Sequence, residues 1–312
     1  MTHSDVGRPS RPWHVFLVLI VAAVGLGGCS SGSSSEADLT TAPAEAAPSP
    51  QLDVAYADTA PEQRLDLYQP APADKPAPLV IYIHGGAWRT GDKGIVTAVD
   101  PSGTPPKPAS STDIVEIQVP DVKALNDKGY AVASINYRLD GNPVHALEDA
   151  KAAVRFLRAE ASDYHIDPER FAAWGDSAGG YTAIMLGVTS GQTTDFDDPA
   201  LGNPDVSSDV QAVVDWFGPT DGFGPYAKMG AKESPYTYIA SAQSLPPFSI
   251  AHGDADCSVS LQQSRHLKEA LTKASGTASL SVLPGAFHED PAFMRTERPR
   301  TVDFLEDTFD VG

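Results

Sequence analysis

Hydrophobic and polar positions along the chain fall into two alternating rhythms. Leu79–His84, Ala131–Tyr137, Phe171–Gly175, Val210–Phe217, Pro247–His252 and Ala278–Leu283 are short apolar runs bounded by turn residues. Most are apolar at successive positions, as strands buried between helix layers must be. Between them, Val144–Ser162 places Leu147, Ala150, Val154 and Leu157 three and four residues apart, predicting an amphipathic helix that leaves Lys151, Arg155 and Arg158 for solvent. Further helices are predicted near Asp121–Lys128 and over Ala178–Val188, and Val54–Asp58 with Leu65–Tyr68 fits an antiparallel hairpin at a sheet edge. This alternation predicts an α/β fold, a mostly parallel central sheet of about eight strands with helices on both faces, built from residues 52–312 as one domain without internal repeats.

The rhythm breaks twice. Ile95–Pro120 holds five prolines and no helical period, so it is expected either to cover the active site as a flap or to form a surface insertion. At the N-terminus, Arg8 and Arg11 precede the apolar run Val15–Leu26, which is too short for an ordinary membrane-spanning helix and fits a signal-peptide core. It ends in Leu26-Gly27-Gly28-Cys29, which resembles the lipobox of bacterial lipoproteins. That resemblance implies cleavage after residue 28 and lipidation of Cys29, giving an extracytoplasmic chain anchored to a bacterial membrane; simple secretion by cleavage near Gly28 is the alternative. Residues 29–51, rich in Ser, Ala and Pro and without aromatics before Pro50, would then be a flexible tether.

Charge narrows the partners. With 22 Lys and Arg against 41 Asp and Glu, the net charge of −19 repels phosphate backbones and anionic head groups, so nucleic-acid binding is a poor fit. Two cysteines make no disulfide scaffold, and a lipidated Cys29 leaves Cys257 as a free thiol, expected to be a small buried residue. The acidic run Asp195, Asp197 and Asp198 is expected to be a solvated loop, with a calcium site as the alternative.

The chemistry concentrates at strand ends. Gly175-Asp176-Ser177-Ala178-Gly179 follows a predicted strand and opens a predicted helix, the context in which G-x-S-x-G becomes a nucleophile elbow at Ser177. In this fold the carboxylate and then the imidazole follow the serine along the chain. Gly253-Asp254-Ala255-Asp256 offers two carboxylates, of which Asp256 is preferred and Asp254 is the competitor. Pro284-Gly285-Ala286-Phe287-His288 offers the base His288, whereas His252, still on its strand, is read as structural. His84-Gly85-Gly86-Ala87-Trp88 after the strand Leu79–Ile83 matches an HGGG-type loop, so the backbone N–H groups of Gly85 and Gly86, with that of Ala178, are candidate oxyanion donors. Trp88, Tyr181, Trp216 and Phe217 suit a pocket wall or the core equally.

Together, His84–Trp88 with Gly91-Asp92-Lys93, Ser134–Leu139, Trp174–Gly180, Asp215–Gly218 and His252–Val259 resemble an esterase-type α/β-hydrolase of the feruloyl-esterase-like group, near the hormone-sensitive-lipase and kynurenine-formamidase branches. The resemblance spans the chain from about Leu52 and implies two-step hydrolysis of a small carboxylic ester, without metal or cofactor. Two departures are Ala87 in place of the third glycine and the long Ile95–Pro120 insertion. The alternatives are amide or peptide hydrolysis on the same triad and a non-catalytic surface binding lipoprotein.

Overall fold

Buried on every residue, the strand Ala77–Ile83 divides its side chains between two cores, and this two-sided burial organises the molecule. The computed structural model describes residues 46–97, 120–222 and 229–310. Its strands are β1 (Gln51–Ala55), β2 (Arg64–Tyr68), β3 (Ala77–Ile83), β4 (Ala131–Ile135), β5 (Ile166–Asp176), β6 (Ala212–Trp216), β7 (Phe248–Gly253) and β8 (Ala278–Leu283). The helices are α1 (Val122–Asp127), α2 (Pro143–Ala159), α3 (Ala178–Val188), α4 (Pro235–Ile239), α5 (Leu261–Lys273) and α6 (Arg298–Phe309).

The eight strands form one sheet in the order β1-β2-β4-β3-β5-β6-β7-β8. β2 runs antiparallel to both neighbours, and every pairing from β4 to β8 is parallel. Leu79, Ile81 and Ile83 of β3 point into a core completed by α2, α3 and α5, whereas Val80 and Tyr82 point into a second core with α1 and α6. Successive side chains of a strand face opposite ways, so only strands apolar at every position can serve both layers. The predicted strands and helices are found with boundaries moved by a few residues. Capping sets two starts: Asp121 accepts from the Ala124 amide at α1 (3.0 Å), and Asn142 accepts from the Val144 amide at α2 (3.0 Å). In the Ile95–Pro120 insertion, residues 98–119 lie outside the described residues, as do the signal-like segment and Cys29.

One expectation is overturned on α2. Lys151 and Arg155, expected in solvent, are 1% and 2% exposed, and Arg158 is half-buried. The segment from Thr189 to Gln211 folds over this polar face. Lys151 Nζ donates to Asp197 Oδ1 (3.0 Å) and Ser208 Oγ (3.0 Å), Arg155 donates to the Gly202 and Asp198 carbonyls, and Arg158 donates to the carbonyls of Pro168, Ser207 and Asp209. Helical period reveals which face is polar, not what covers it. The acidic run is in part the solvated loop expected: Asp195 is exposed and pairs with Lys232 at the surface and Asp198 caps the turn Pro199–Leu201, whereas Asp197 meets the buried Lys151.

Candidate active site

Ser177 sits between β5 and α3 at φ 50° and ψ −115°, a left-handed backbone that L-residues hold only when their surroundings compel it. The compulsion is visible. The Ser177 amide donates to the Trp216 carbonyl (2.9 Å), and its carbonyl accepts from the Tyr181 amide (3.0 Å). A Cβ on Gly179 would overlap the Ile83 carbonyl, so α3 can approach β3 this closely only with glycine there.

His288, in the loop after β8, meets Ser177 from 111 residues away: its Nε2 lies 2.9 Å from Ser177 Oγ. Its Nδ1 lies 2.6 Å from Asp256 Oδ2 in the loop after β7. Asp256 Oδ1 accepts from the amides of Ser258 and Val259, both at 2.8 Å. Burial pushes the Asp256 carboxyl up, but the neighbouring imidazoles of His252 and His288, with a smaller part from the Val259 amide, outweigh it and hold the carboxyl well below the usual carboxylate range. Asp254, the competing carboxylate, turns away and accepts from the Gly285 amide (2.6 Å). The structure therefore joins Ser177, His288 and Asp256 and leaves Asp254 as a turn residue.

The Gly85 backbone lies against the serine, since a Cβ there would fall 3.4 Å from Ser177 Cβ and 2.6 Å from Asp176 Oδ2. Gly86 follows at φ 98°, then Ala87 and Trp88 at φ 54° and 59°. Left-handed Ala and Trp cost roughly 1–2 kcal/mol each, and the loop is held from behind. Tyr137 Oη donates to the His84 carbonyl (2.8 Å), its ring stacks on His84 at 4.4 Å, and burial lowers the His84 imidazole to about 4, keeping it neutral. Beyond the loop, Lys93 pairs with Asp53 (2.7 Å) and Asp66 (2.8 Å), and its amide donates to Asn136 Oδ1 (2.6 Å). Thus Gly91-Asp92-Lys93 ties the glycine loop to β2 and the end of β4.

Several contacts around the site were not legible in the sequence. The Phe217 ring packs edge-on against His288 (4.8 Å) and sits 6.5 Å from His252. Trp88, Tyr181, Trp216 and Phe217 are all buried in the core. Tyr82 Oη donates to Asp176 Oδ1 (2.7 Å), beneath the glycine loop. Cys257 is exposed, not buried as expected, because the turn after Asp256 bulges into solvent. Its side chain faces outward while the adjacent amides face the carboxylate.

Asp215, at the end of β6, is fully buried; Oδ1 accepts from the Gly218 amide (2.8 Å) and Oδ2 has no hydrogen-bond partner. Burial raises its carboxyl to about 7, against the pull of the Gly218 amide and His252. The unfolded chain releases this proton at about pH 3.9. The group's contribution to stability is therefore fully present below about pH 4 and lost as pH rises through the folded value. Asp215→Asn, which keeps the acceptor for Gly218, should raise Tm at pH 8 and change it little at pH 4. A Tm difference independent of pH would refute that assignment.

The sheet order, the strand-turn-helix at Ser177 and the carboxylate and imidazole delivered from the loops after β7 and β8 define an α/β-hydrolase. The chain belongs to the BD-FAE family of feruloyl esterase-like α/β-hydrolases, whose model matches residues 65–102 and 109–229. Among curated proteins it is 27% identical over 267 residues to the esterase LipQ of Mycobacterium tuberculosis, covering 76% of this chain and 56% of that protein. It is also 27% identical over 253 residues to the probable carboxylic ester hydrolase LipM of the same organism, covering 72% and 52%. The chain thus spans about half the length of these relatives. Among solved structures, a truncated carbohydrate esterase from gut microbiota superposes with a TM-score of 0.66 at 25% identity, covering 85% of this chain and 97% of that one.

Proposed function

We propose that the protein is a serine hydrolase of small carboxylic esters. The observation that carries this reading is the continuous hydrogen-bonded line from Ser177 Oγ through His288 to Asp256, on a family whose named relatives are esterases. In this mechanism Ser177 Oγ attacks the ester carbonyl carbon as His288 Nε2 takes its proton. Asp256 holds the proton on Nδ1, so that Nε2 is free to act as base, and stabilises the imidazolium. The tetrahedral oxyanion is received by the N–H groups of Ala178, Gly85 and Gly86, loss of one such donor costing ~100 to 1,000-fold in rate. His288 returns the proton to the leaving alcohol. Water then repeats the sequence on the acyl-enzyme.

The test is turnover of a nitrophenyl ester series from acetate to octanoate, with Ser177→Ala alongside. Turnover that disappears in the variant supports the reading, and the chain-length optimum bounds the acyl pocket. A folded protein inert on all of them but active on formyl-amide or peptide substrates would move the assignment to amide hydrolysis.

The N-terminal motif supports a second proposal, that Cys29 is lipidated after cleavage at Gly28 and tethers the hydrolase to a membrane. Acylation of the new N-terminus plus a thioether-linked lipid supplies more than one chain, enough for stable anchoring. Cys29→Ala should shift the protein from the membrane to the soluble fraction and abolish labelling by a palmitate analogue; unchanged partition would refute the anchor.

A further inference from the structure

His252, read from sequence as a structural residue, stands beside the acid, near the same carboxylate oxygen that His288 approaches. Its side chain is fully buried at the end of β7. Nε2 lies 2.9 Å from the Val259 carbonyl and 3.3 Å from Asp256 Oδ2, and Nδ1 lies 2.7 Å from Ser264 Oγ on α5. A carbonyl only accepts, so Nε2 carries the proton, and Nδ1 accepts from the Ser264 hydroxyl. The Nε2–H then donates to Val259, and the same nitrogen stands 3.3 Å from the carboxylate oxygen that His288 Nδ1 approaches at 2.6 Å. Asp256 thus has two backbone amides on Oδ1, and on Oδ2 the His288 imidazole at 2.6 Å with His252 Nε2 at 3.3 Å.

We propose that His252 is a positioning residue for the proposed ester hydrolysis: its Nε2–H fixes the Asp256 carboxylate and competes with His288 for Oδ2, weakening the hold of the acid on the protonated base. The inference rests on the roles given above to Ser177, His288 and Asp256. A donor to a carboxylate stabilises the anion and makes it a poorer partner for a second proton. Ser264 strengthens that donor by bonding the opposite ring nitrogen, because linked hydrogen bonds polarise one another. The other charged groups facing the pair are Asp215 from β6, which acts on His252, and Glu289, which follows His288 and acts on both His288 and Asp256. The Phe217 ring packs against both imidazoles. A clamp joining only Val259 to Ser264 would affect stability and leave His288 untouched.

The experiment is a histidine NMR titration of the full chain without substrate, with ester kinetics in parallel, on wild type, His252→Phe, His252→Gln and Ser264→Ala. His252→Phe should raise the His288 midpoint by about half a pH unit and lower kcat about tenfold, with KM held within about twofold. The Gln amide can donate from the position of Nε2, so His252→Gln should recover most of both effects. A midpoint unmoved in His252→Phe overturns the proposal. Should that variant not fold, Ser264→Ala decides: a smaller upward shift supports the role and no shift overturns it. A wild type that titrates with this coupling but hydrolyses no ester would sink the ester reading alone, whereas ester turnover with an unmoved midpoint would sink the role of His252 alone.

Discussion

Replacing Ser177 with Ala should lower kcat on a nitrophenyl ester by about six orders of magnitude, the loss seen when a comparable catalytic serine is removed. Only Oγ is lost, and with it the atom that His288 Nε2 reaches at 2.9 Å. The bonds that hold the turn are backbone bonds, Ser177 N–H to the Trp216 carbonyl and Tyr181 N–H to the Ser177 carbonyl, and Ala keeps both. The strained φ of 50° is shared by Ser and Ala, so Tm should stay within a few degrees. Rate and Tm measured on the same preparation separate chemistry from folding. A variant retaining more than about a hundredth of the wild-type rate would show that another group supplies the nucleophile. Because triad members act as a unit, adding His288→Ala and Asp256→Ala to Ser177→Ala should cost almost nothing more.

The second large effect is expected at Asp256. Asp256→Asn should cost roughly 10⁴ in kcat. The amide oxygen can keep the two backbone donors of Ser258 and Val259, which turns the NH2 toward His288 Nδ1 and His252 Nε2. Two donors cannot face each other, so His288 must move its proton to Nε2, and a protonated Nε2 cannot accept from Ser177. Stability should respond with a definite sign. The folded-state pKa of Asp256 is depressed, so its contribution is present above the unfolded value of about 3.9 and is lost as pH falls below it. Asp256→Asn should therefore lower Tm at pH 7 and approach the wild type near pH 3. Thermal scans at those two pH values check this, and a gap that widens toward acid would contradict it. An acid-side loss of activity between pH 5 and 7 would accordingly come from a group other than Asp256.

Much of the site was legible because its signals are local. A glycine-flanked serine between an apolar strand and a helix needs only a few consecutive residues to be recognised, and so does the glycine pair after β3. Choosing Asp256 over Asp254 was a narrower matter: both follow β7 within four residues, and the turn aims one at His288 and the other at the Gly285 amide. The nearness of His252 to Asp256 was not legible for a related reason. A histidine on a buried strand carries no mark of what lies beyond the strand end. Its link to Asp256 exists because the chain folds back between Gly253 and Val259.

The buried cations of α2 failed differently. The spacing of Leu147, Ala150, Val154 and Leu157 identifies the apolar face correctly, and all four are buried. The opposite face is polar in composition and yet enclosed, because Asp197 and the carbonyls of Asp198 and Gly202 arrive from a segment more than 40 residues away. Hydrogen bonds and an ion pair replace water there, an exchange that periodicity within one helix cannot register.

What the amino-acid order determined by itself was the strands, three of the helices and the turns at the site: which runs are apolar on two faces, that α2 is amphipathic, where glycine permits a sharp backbone. These follow from steric and solvation preferences acting over a few residues. Tertiary structure alone decided which strand ends stand side by side. Ser177 and His288 meet across 111 positions because the order β5-β6-β7-β8 brings the loops after β7 and β8 to the elbow after β5, and Asp256 and His252 meet there for the same reason. A hydrogen bond is sensitive to tenths of an ångström, and distances of that kind between remote residues arise only once the sheet is assembled.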